Sequence, residues 1–246
     1  MKKIIIAVSM LAAAFAANAQ EPSLQSARQY KPVAGNVLAE LGLFGSTGFV
    51  NLPTSTFATP QLKFRYFLQD QLAIRVGFNY TQNASTTRFY ETGGGSGKGY
   101  ARDMNSTFGL NAGIEKHFAG TGRLSTYAGG DVSFQRVGAA TRWENSTDGT
   151  TFTDGETRKT RGFNNAGDNG SVGFGLRAIA GADYYFVEKV YLGAEFGWGF
   201  MASKDVKTKD EVTVGGTTTT TETKGDGGTF TLAPMLTAGV RIGFIF

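Results

Sequence analysis

The chain has 246 residues, a formal net charge of +4, a single histidine and no cysteine. The lack of cysteine excludes a disulfide framework, a thiolate metal site and a cysteine nucleophile. The small net charge gives little support to a nucleic-acid-binding protein, because binding to a phosphate backbone needs a strong excess of cations.

The first 19 residues have the three parts of a secretory signal peptide. A basic start precedes an apolar run over residues 4–17, and residues 17–19 (Ala-Asn-Ala) form a small-x-small cleavage site. The run is too short for a transmembrane helix, and no later run approaches the ~20 apolar residues that one needs. We therefore expect removal of residues 1–19. A secreted, glycine-rich chain with 13% aromatic residues has the composition of an outer-membrane β-barrel, which a glycine-rich soluble β-protein would share.

Residues 20–37 are polar, contain two prolines and show no period. We interpret them as a periplasmic N-terminal arm, with simple disorder as the alternative. From Leu38 onwards, apolar residues alternate with polar or small ones. Because successive side chains of a strand point to opposite faces, this period of two predicts β-strands. Eight such segments follow in chain order, at residues 38–52, 62–68, 72–81, 107–118, 124–135, 172–186, 190–201 and 229–246.

The connections between these segments alternate between long and short. Three are tight turns, at residues 69–70, 119–122 and 187–189. The first long connection is bracketed by Pro53 and Pro60, which cannot donate to a sheet ladder. The other long connections are polar, and we predict surface loops at residues 82–103, 141–170 and 203–228. The second of these carries Asp148-Gly149 and Asp154-Gly155, which are hairpin-turn dipeptides, so part of it could form a β-ribbon.

The last segment, residues 229–246, has the clearest alternation. Its even positions from Phe230 to Phe246 are apolar throughout, and its odd positions are mostly small or polar. A run of about 17 residues is far longer than the ~5–6 residues of an ordinary strand. A soluble β-sandwich would use shorter strands, and a helix would need apolar residues three and four apart. Together with the even strand number and the short turns on one side, this predicts an all-β, eight-stranded antiparallel up-and-down transmembrane β-barrel over residues 38–246.

The eight alternating segments and the C-terminal strand ending in Phe246 resemble the eight-stranded outer-membrane barrels of the OmpA and OmpX type. The resemblance covers nearly the whole mature chain. It implies a location in the outer membrane of a Gram-negative bacterium, with both termini periplasmic, and it implies that Phe244 and Phe246 form the signal read by the barrel-assembly machinery. This sequence has no peptidoglycan-binding domain after the barrel, so cell-wall anchoring is not expected. The fold itself hosts several functions and does not select one.

Ten charged residues are predicted to face the lumen. Eight strands leave an interior only wide enough for side chains, so these residues must lie close together. Buried charges persist only when paired, and acids and bases are balanced here. We interpret the set as structural filling of a solid barrel, with a polar plug or gate as the functional alternative. The acids are Glu40, Glu115, Asp131, Asp183 and Glu195, and the bases are Lys63, Arg65, Arg75, Arg177 and Arg241.

His117 is the one residue that could serve a Ser/His/acid arrangement, as a lipid-modifying barrel enzyme would need. It is predicted to face inward at the periplasmic end, so we do not expect catalysis. With one histidine and no cysteine, a transition-metal site is not expected, nor is any cofactor. Residues 93–99 (GGGSGKG) lack the Ser or Thr that follows the lysine of a phosphate-binding loop, and we predict a flexible loop tip.

The sequence thus favours a non-enzymatic, monomeric outer-membrane barrel with a structural or surface-interaction role through its long loops. The alternative function is a small porin-like diffusion channel, suggested by the charged lumen. The expected partners are outer-membrane lipids, the barrel-assembly machinery during biogenesis and any surface partner of the loops, but not nucleic acid. Outward aromatic residues are predicted to form two girdles at the membrane interfaces. One contains Tyr66, Phe118, Tyr184, Phe186, Phe244 and Phe246, and the other contains Phe78, Tyr80, Phe108, Phe134, Trp198 and Phe230.

Overall fold

A computed structural model describes residues 30–42, 62–235 and 241–246 of the chain. The predicted signal peptide and residues 20–29 of the arm lie outside this range. So do residues 43–52 of the first predicted strand and the connection with Pro53 and Pro60. The regular structure of the described residues is all β, and none of it is a helix long and apolar enough to span a membrane.

Twelve strands are described, and they are numbered here in chain order. They are β1 (Val37–Gly42), β2 (Leu62–Gln69), β3 (Leu72–Tyr90), β4 (Lys98–Phe118), β5 (Leu124–Glu144), β6 (Thr157–Arg161), β7 (Ser171–Val187), β8 (Val190–Asp205), β9 (Thr208–Val214), β10 (Thr217–Thr223), β11 (Gly228–Met235) and β12 (Arg241–Ile245).

Eight strand positions form a closed antiparallel ring. β1 pairs with β2, and the pairing continues through β3, β4, β5 and β7 to β8. β8 pairs with β11 over residues 197–204 and with β12 over residues 190–193, and β12 pairs with β1. The amide of Phe246 donates to the carbonyl of Val37 at 2.8 Å, which completes the seam. β11 and β12 thus share the eighth position, and the predicted eight-stranded antiparallel barrel is confirmed.

The two faces of the ring have opposite chemistry. In β3, Arg75 points into the lumen and is 3% exposed, while its neighbours Ile74 and Val76 point outward and are each 43% exposed. A soluble protein would bury the apolar pair and expose the arginine, because apolar surface is costly in water. The inverted pattern is the one that a lipid-solvated barrel shows.

Outward aromatic rings lie beside one another at the end of the barrel opposite the tight turns. The centroids of Phe134 and Phe174 are 5.1 Å apart, those of Phe108 and Phe134 are 6.4 Å apart, and Phe200 stacks on Phe230 at 5.7 Å. These contacts run across neighbouring strands, as a girdle at one interface requires.

The predicted loops at residues 82–103, 141–170 and 203–228 are wrong in large part, because strands continue through them. β3 and β4 pair without interruption from Leu72 and Lys116 up to Tyr90 and Lys98. Beyond the apolar zone both faces of these strands carry polar residues, so the hydrophobic alternation ends while the backbone ladder goes on. A pattern search based on apolar period cannot detect such a strand.

The sheet divides where it leaves the ring. β5 pairs with β7 up to Val137 and then with β6 from Ala140. β6 pairs with β9, and β9 forms a hairpin with β10 through Gly215 and Gly216, whose φ angles of 57° and 79° fit a two-residue hairpin turn. We call this projecting structure the raised sheet. It comprises residues 82–90 of β3, 98–107 of β4 and 136–144 of β5, together with β6, β9 and β10.

The opposite end, which carries the three tight turns, is crossed by residues 30–36 of the predicted arm. The amide of Gly35 donates to the carbonyl of Phe67 at 2.8 Å, and the amide of Ala34 donates to the Asp70 carboxylate at 3.0 Å. The guanidinium of Arg123 lies 4.6 Å from the ring centroid of Tyr30. This part of the arm is therefore held against the barrel by both backbone and side-chain contacts.

Candidate functional site

The structure brings all ten predicted lumen charges into one cluster. Each side chain points inward, and none of the ten residues is more than 5% exposed. The alternation that turns apolar residues outward turns these residues inward, and each of the eight strand positions contributes one or two of them. We call the set the lumen network. It consists of Glu40, Lys63, Arg65, Arg75, Glu115, Asp131, Arg177, Asp183, Glu195 and Arg241.

Glycines opposite the charges give the long side chains their space. Gly193 pairs with both Asp183 and Arg241 across the two neighbouring strands. A Cβ atom at Gly193 would collide with the Asp183 carboxylate and would lie 2.6 Å from Nη2 of Arg241. Arg75 faces Gly113, and Glu195 faces Gly181, in the same way. A Cβ atom at Gly113 would collide with Asp131, and one at Gly181 would collide with Tyr127. The lumen-facing glycines therefore leave room for the larger side chains around them.

Glu195 of β8 is the centre of the network. Arg75 donates two hydrogen bonds to it, from Nη1 to Oε2 at 2.7 Å and from Nη2 to Oε1 at 2.9 Å. Nη1 of Arg241 lies 2.9 Å and Nζ of Lys63 lies 3.2 Å from Oε2. The hydroxyl of Tyr127 also donates to Oε2, at 2.7 Å. One carboxylate thus ties together strands on opposite sides of the lumen.

Arg65 of β2 forms a second centre. Its Nη1 donates to Asp183 at 2.6 Å, its Nε lies 3.1 Å from Glu115, and it also pairs with Glu40. The guanidinium carbon lies 4.8 Å from the ring centroid of Tyr127, which is within cation–π range. Asp183 in turn accepts from Arg241 at 2.7 Å. The two centres therefore share partners and form one network.

Arg177 of β7 and Asp131 of β5 extend the network towards the raised sheet. Arg177 donates from Nε and Nη2 to the two oxygens of Asp131, at 3.0 and 2.7 Å. Such fork-to-fork pairs are the strongest geometry for an arginine and a carboxylate. Five acids and five bases give the network a formal charge of zero, so the desolvation of each ion is offset by close partners of opposite sign.

An apolar and aromatic layer closes the lumen below the network, at the turn end. Tyr185 and Tyr191 are fully buried, with ring centroids 5.1 Å apart, and Phe67 is 1% exposed. The layer consists of Leu38, Phe67, Ala73, Tyr185, Tyr191 and Ile245, with Tyr30 of the arm packed against it. The sequence analysis did not predict this layer, although the alternation places Phe67, Tyr185 and Tyr191 on the inward face.

His117 lies between this layer and the network, in contact with a serine and a glutamate. Its Nδ1 is 2.9 Å from Oγ of Ser125, and its Nε2 is 3.0 Å from Oε1 of Glu115. The distances fit a serine, base and acid arrangement. However, Ser125 and His117 are each 3% exposed, and the rings of Phe67 and Tyr127 lie 4.9 and 5.2 Å from the imidazole. No surface leads a substrate to this hydroxyl within the described part of the chain.

Ser125 and Tyr127 were not among the predicted site residues. Both lie on the inward face of β5, where the alternation places them. The register of β5 against β4 brings them to His117, and the registers of β5 against β7 and of β7 against β8 bring Tyr127 to Glu195. That register is set by turn length and by packing, and the sequence alone does not specify it. Among residues 30–42, 62–235 and 241–246, no three histidine, aspartate or glutamate side chains are placed to hold a metal ion.

The tip of the raised sheet is ordered by its own side chains. Asp148 accepts hydrogen bonds from the amides of Thr151 and Thr150 at 2.7 and 2.8 Å, and these bonds hold the pKa of its carboxyl well below the usual range. Trp143 is 5% exposed, and the guanidinium of Arg158 lies 5.1 Å from its ring. Arg158 also makes a bidentate pair with Asp210 of β9. The connection between β5 and β6 and the strands beside it are therefore held in a defined conformation by side-chain contacts.

Phe244 and Phe246 lie on the outward face at the turn end, and they are 44% and 73% exposed. Such exposure is compatible with contact to lipid or to another protein. Their predicted role as an assembly signal stays a prediction.

No protein-family model matches the chain, and no curated protein matches its sequence. Among solved structures, it is similar to the outer membrane protein OprG from Pseudomonas aeruginosa, with 12% identity, coverage of 89% of this chain and 98% of that chain, and a TM-score of 0.36. A major outer membrane protein from Thermus thermophilus gives 15% identity, coverage of 86% and 98%, and a TM-score of 0.41. AlkL, determined in DMPC bilayers, gives 14% identity, coverage of 88% and 92%, and a TM-score of 0.34.

Proposed function

We propose that the protein is a monomeric barrel of the Gram-negative outer membrane with a sealed lumen, and that it acts by presenting the raised sheet to the cell exterior. The observation that carries this proposal is the lumen network around Glu195, which fills the barrel with paired side chains. A filled lumen offers no continuous water path, so the activity is assigned to the surface that projects from the membrane.

The proposed orientation is supported by the difference between the two ends of the barrel. Outer-membrane barrels carry short turns on the periplasmic side and long excursions on the outside. Here the three tight turns, residues 30–36 and Phe246 all lie at one end, and the raised sheet lies at the other. Both termini are therefore assigned to the periplasm, where Phe244 and Phe246 would meet the barrel-assembly machinery. The closer kinship with the OmpA and OmpX type is part of this proposal.

The absence of enzymatic activity is also proposed, on the burial of the Ser125, His117 and Glu115 set. Glu115 is already paired with Arg65 and with Arg75, the latter at 3.0 Å, so it is not free to serve a histidine base alone. A His117→Ala variant should leave the lipid composition of the outer membrane unchanged when the lipids are analysed by mass spectrometry. A changed acyl or headgroup profile would point to a lipid-modifying enzyme.

The interaction role can be tested by removing β9 and β10. These two strands of the raised sheet are separated from the ring by the largest number of strand pairings. Replacement of residues 208–223, the β9–β10 hairpin, by a short glycine-serine turn leaves every strand of the ring intact. We expect the variant to reach the outer membrane and to fold, as shown by the heat-dependent mobility of barrels in gels, but to lose the cell-surface phenotype of the intact chain. A hairpin-deleted protein that retains every such phenotype would contradict the proposal.

A further inference from the structure

The two faces of the raised sheet differ sharply in charge. Cross-strand pairing places the side chains of nine basic residues on the outward face of the sheet and the adjoining strand ends, with three acids, Glu144, Glu211 and Glu222. The inward face of the same strands carries Asp103, Asp210 and a single base, Arg158. The nine outward basic residues are Arg88, Lys98, Arg102, Arg136, Arg142, Lys159, Arg161, Lys204 and Lys209.

Most of these cations make no close ion pair within the described part of the chain, although Lys159 is a cross-strand neighbour of Glu211. Arg142 pairs with Glu144, and Lys209 pairs with Glu211, but the other seven make no ion pair with a described residue. The hydrogen bond from Lys209, supported by the field of Arg161 and Lys159, lowers the pKa of Glu211 below its usual value. The outward face is thus an electropositive surface that attracts anions.

The lowest cations of this face lie at the membrane interface. Arg136 of β5 and Lys204 of β8 both pair with Val172 of β7, one on each side, so they stand two strand spacings or about 10 Å apart on one row. The next outward row towards the barrel centre contains the aromatic pair Phe134 and Phe174. Both cations are exposed. Two basic side chains directly above an aromatic girdle are at the level of lipid headgroups.

Further cations form a second row, six residues further along β5 from Arg136 on the same outward face. Arg102, Arg142 and Lys159 are direct cross-strand neighbours on three successive strands, and Arg161 pairs with Lys209 one row below them. Like charges side by side repel each other unless an anion lies between them. A row of this kind, which runs across the strands, is stabilised by a ligand that carries several negative charges.

We propose that the outward face of the raised sheet from Arg136 upwards, together with Lys204 at the adjoining end of β8, binds the phosphate-bearing glycolipid of the outer leaflet. Arginine and lysine are the side chains that bind phosphate, and the girdle below them contacts the acyl chains of the same molecule. The position of the cations next to the lipid-facing surface favours a ligand of the same leaflet over a nucleic acid or a soluble acidic protein. The inference rests on the proposed outer-membrane orientation and names the first partner of the raised sheet.

The test measures binding of purified full-length protein in detergent micelles to lipid A with two phosphates and to lipid A with one phosphate and the same acyl chains. The rim variant is Arg136→Gln with Lys204→Gln. The matched control, Lys116→Gln with Lys189→Gln, removes two charges at the turn end. Each basic residue near an anionic lipid surface contributes ~1 kcal/mol, so we expect the rim variant to bind the bisphosphorylated lipid about thirtyfold more weakly than the wild type and the control to bind it unchanged.

Wild-type protein should also prefer the bisphosphorylated form over the monophosphorylated form, and the rim variant should lose this preference. Equal affinity of the wild type for the two forms, or an equal loss in rim variant and control, would overturn the proposal. Gel mobility of the folded barrel confirms that each variant is intact. Conductance recordings in planar bilayers test the sealed lumen without this lipid. The glycolipid site can therefore fail its binding test while the sealed lumen passes its own test, and the two failures are distinguishable.

Discussion

Arg75 and Glu195 face each other across the lumen, on β3 and β8, and are joined by two hydrogen bonds of 2.7 and 2.9 Å. The two strands are not neighbours in the ring, so this pair is a crosslink through the barrel interior. Both side chains are nearly inaccessible to solvent, with 3% exposure for each residue. A crosslink of this kind makes the lumen part of the folded core.

Removal of the Glu195 carboxylate should strongly destabilise the barrel. A Glu195→Ala variant leaves Arg75, Arg241 and Lys63 without their shared partner, and breaking a buried ion pair typically costs about 3–5 kcal/mol. We expect the free energy of unfolding, measured by urea titration in phospholipid vesicles, to fall by this amount. Glu211→Ala, which removes an acid from a partly exposed pair on the raised sheet, should cause no measurable change. Equal effects of the two variants would contradict a central role for Glu195.

Lumen-facing glycines should tolerate substitution less well than outward-facing ones. A Cβ atom at Gly113 would lie 2.5 Å from Cβ and 2.8 Å from Cα of Asp131, while a Cβ atom at Gly130 meets nothing closer than the Arg177 carbonyl at 3.3 Å. Overpacking of this kind costs about 1–3 kcal/mol. Gly113→Ala should therefore lower the free energy of unfolding by that amount, and Gly130→Ala should leave it nearly unchanged. The same urea titration measures both variants. A larger loss of unfolding free energy for Gly130→Ala would contradict the assignment of Gly113 to the lumen face and Gly130 to the outward face.

The order of the β5–β6 connection should depend on Asp148 and on pH. The amides of Thr150 and Thr151 favour the charged carboxylate, so its contribution is present at neutral pH and is lost as the pH falls below about 4. We expect Asp148→Ala to increase amide hydrogen exchange and protease cleavage within residues 145–156 at neutral pH. Asp154→Ala, at an exposed aspartate of the same connection, is the control and should behave as the wild type. Similar cleavage of both variants would show that the carboxylate does not order the tip.

The contact between Arg123 and Tyr30 should hold the arm against the turn end. An Arg123→Ala variant loses the cation–π contact and the hydrogen bond from Nη2 to the Tyr30 hydroxyl at 3.2 Å. We expect faster amide exchange over residues 30–36, with no change in the strands of the ring. Lys189→Ala, at the same end of the barrel, should leave the exchange of this segment unaltered. Unchanged exchange in Arg123→Ala would assign the attachment of the arm to its other hydrogen bonds, those to Phe67 and Asp70.

The architecture and the inward placement of charges could be read from the sequence, because lipid on one face and a narrow lumen on the other impose a strict period of two. Arg75 and Ile74 illustrate this, since each lies on the face that its chemistry predicts. The raised sheet could not be read in the same way. Residues such as Thr86 and Arg102 belong to strand extensions that lack apolar alternation, and the backbone pairing of β3 with β4 defines those extensions.

The ion-pair partners of the lumen charges could not be predicted from the sequence either. The sequence supplied ten candidates with balanced charge, but the choice of Glu195 as the centre depends on the relative heights of β2, β3, β8 and β12. Tyr127 and Ser125 joined the cluster for the same reason. Cross-strand register is fixed by turns and packing, and a shift of two residues would preserve every face while exchanging every partner.

The most direct test of the sealed lumen is single-channel recording of the full-length protein in planar lipid bilayers. Paired side chains fill the barrel between the tyrosine layer and Arg177, so we predict no stable conductance steps from the wild type at any applied voltage that the bilayer withstands. A Glu195→Ala variant that still folds should open only irregular events, because it loosens the centre of the network. Reproducible, stable conductance steps from the wild type would contradict the account and establish a diffusion channel instead.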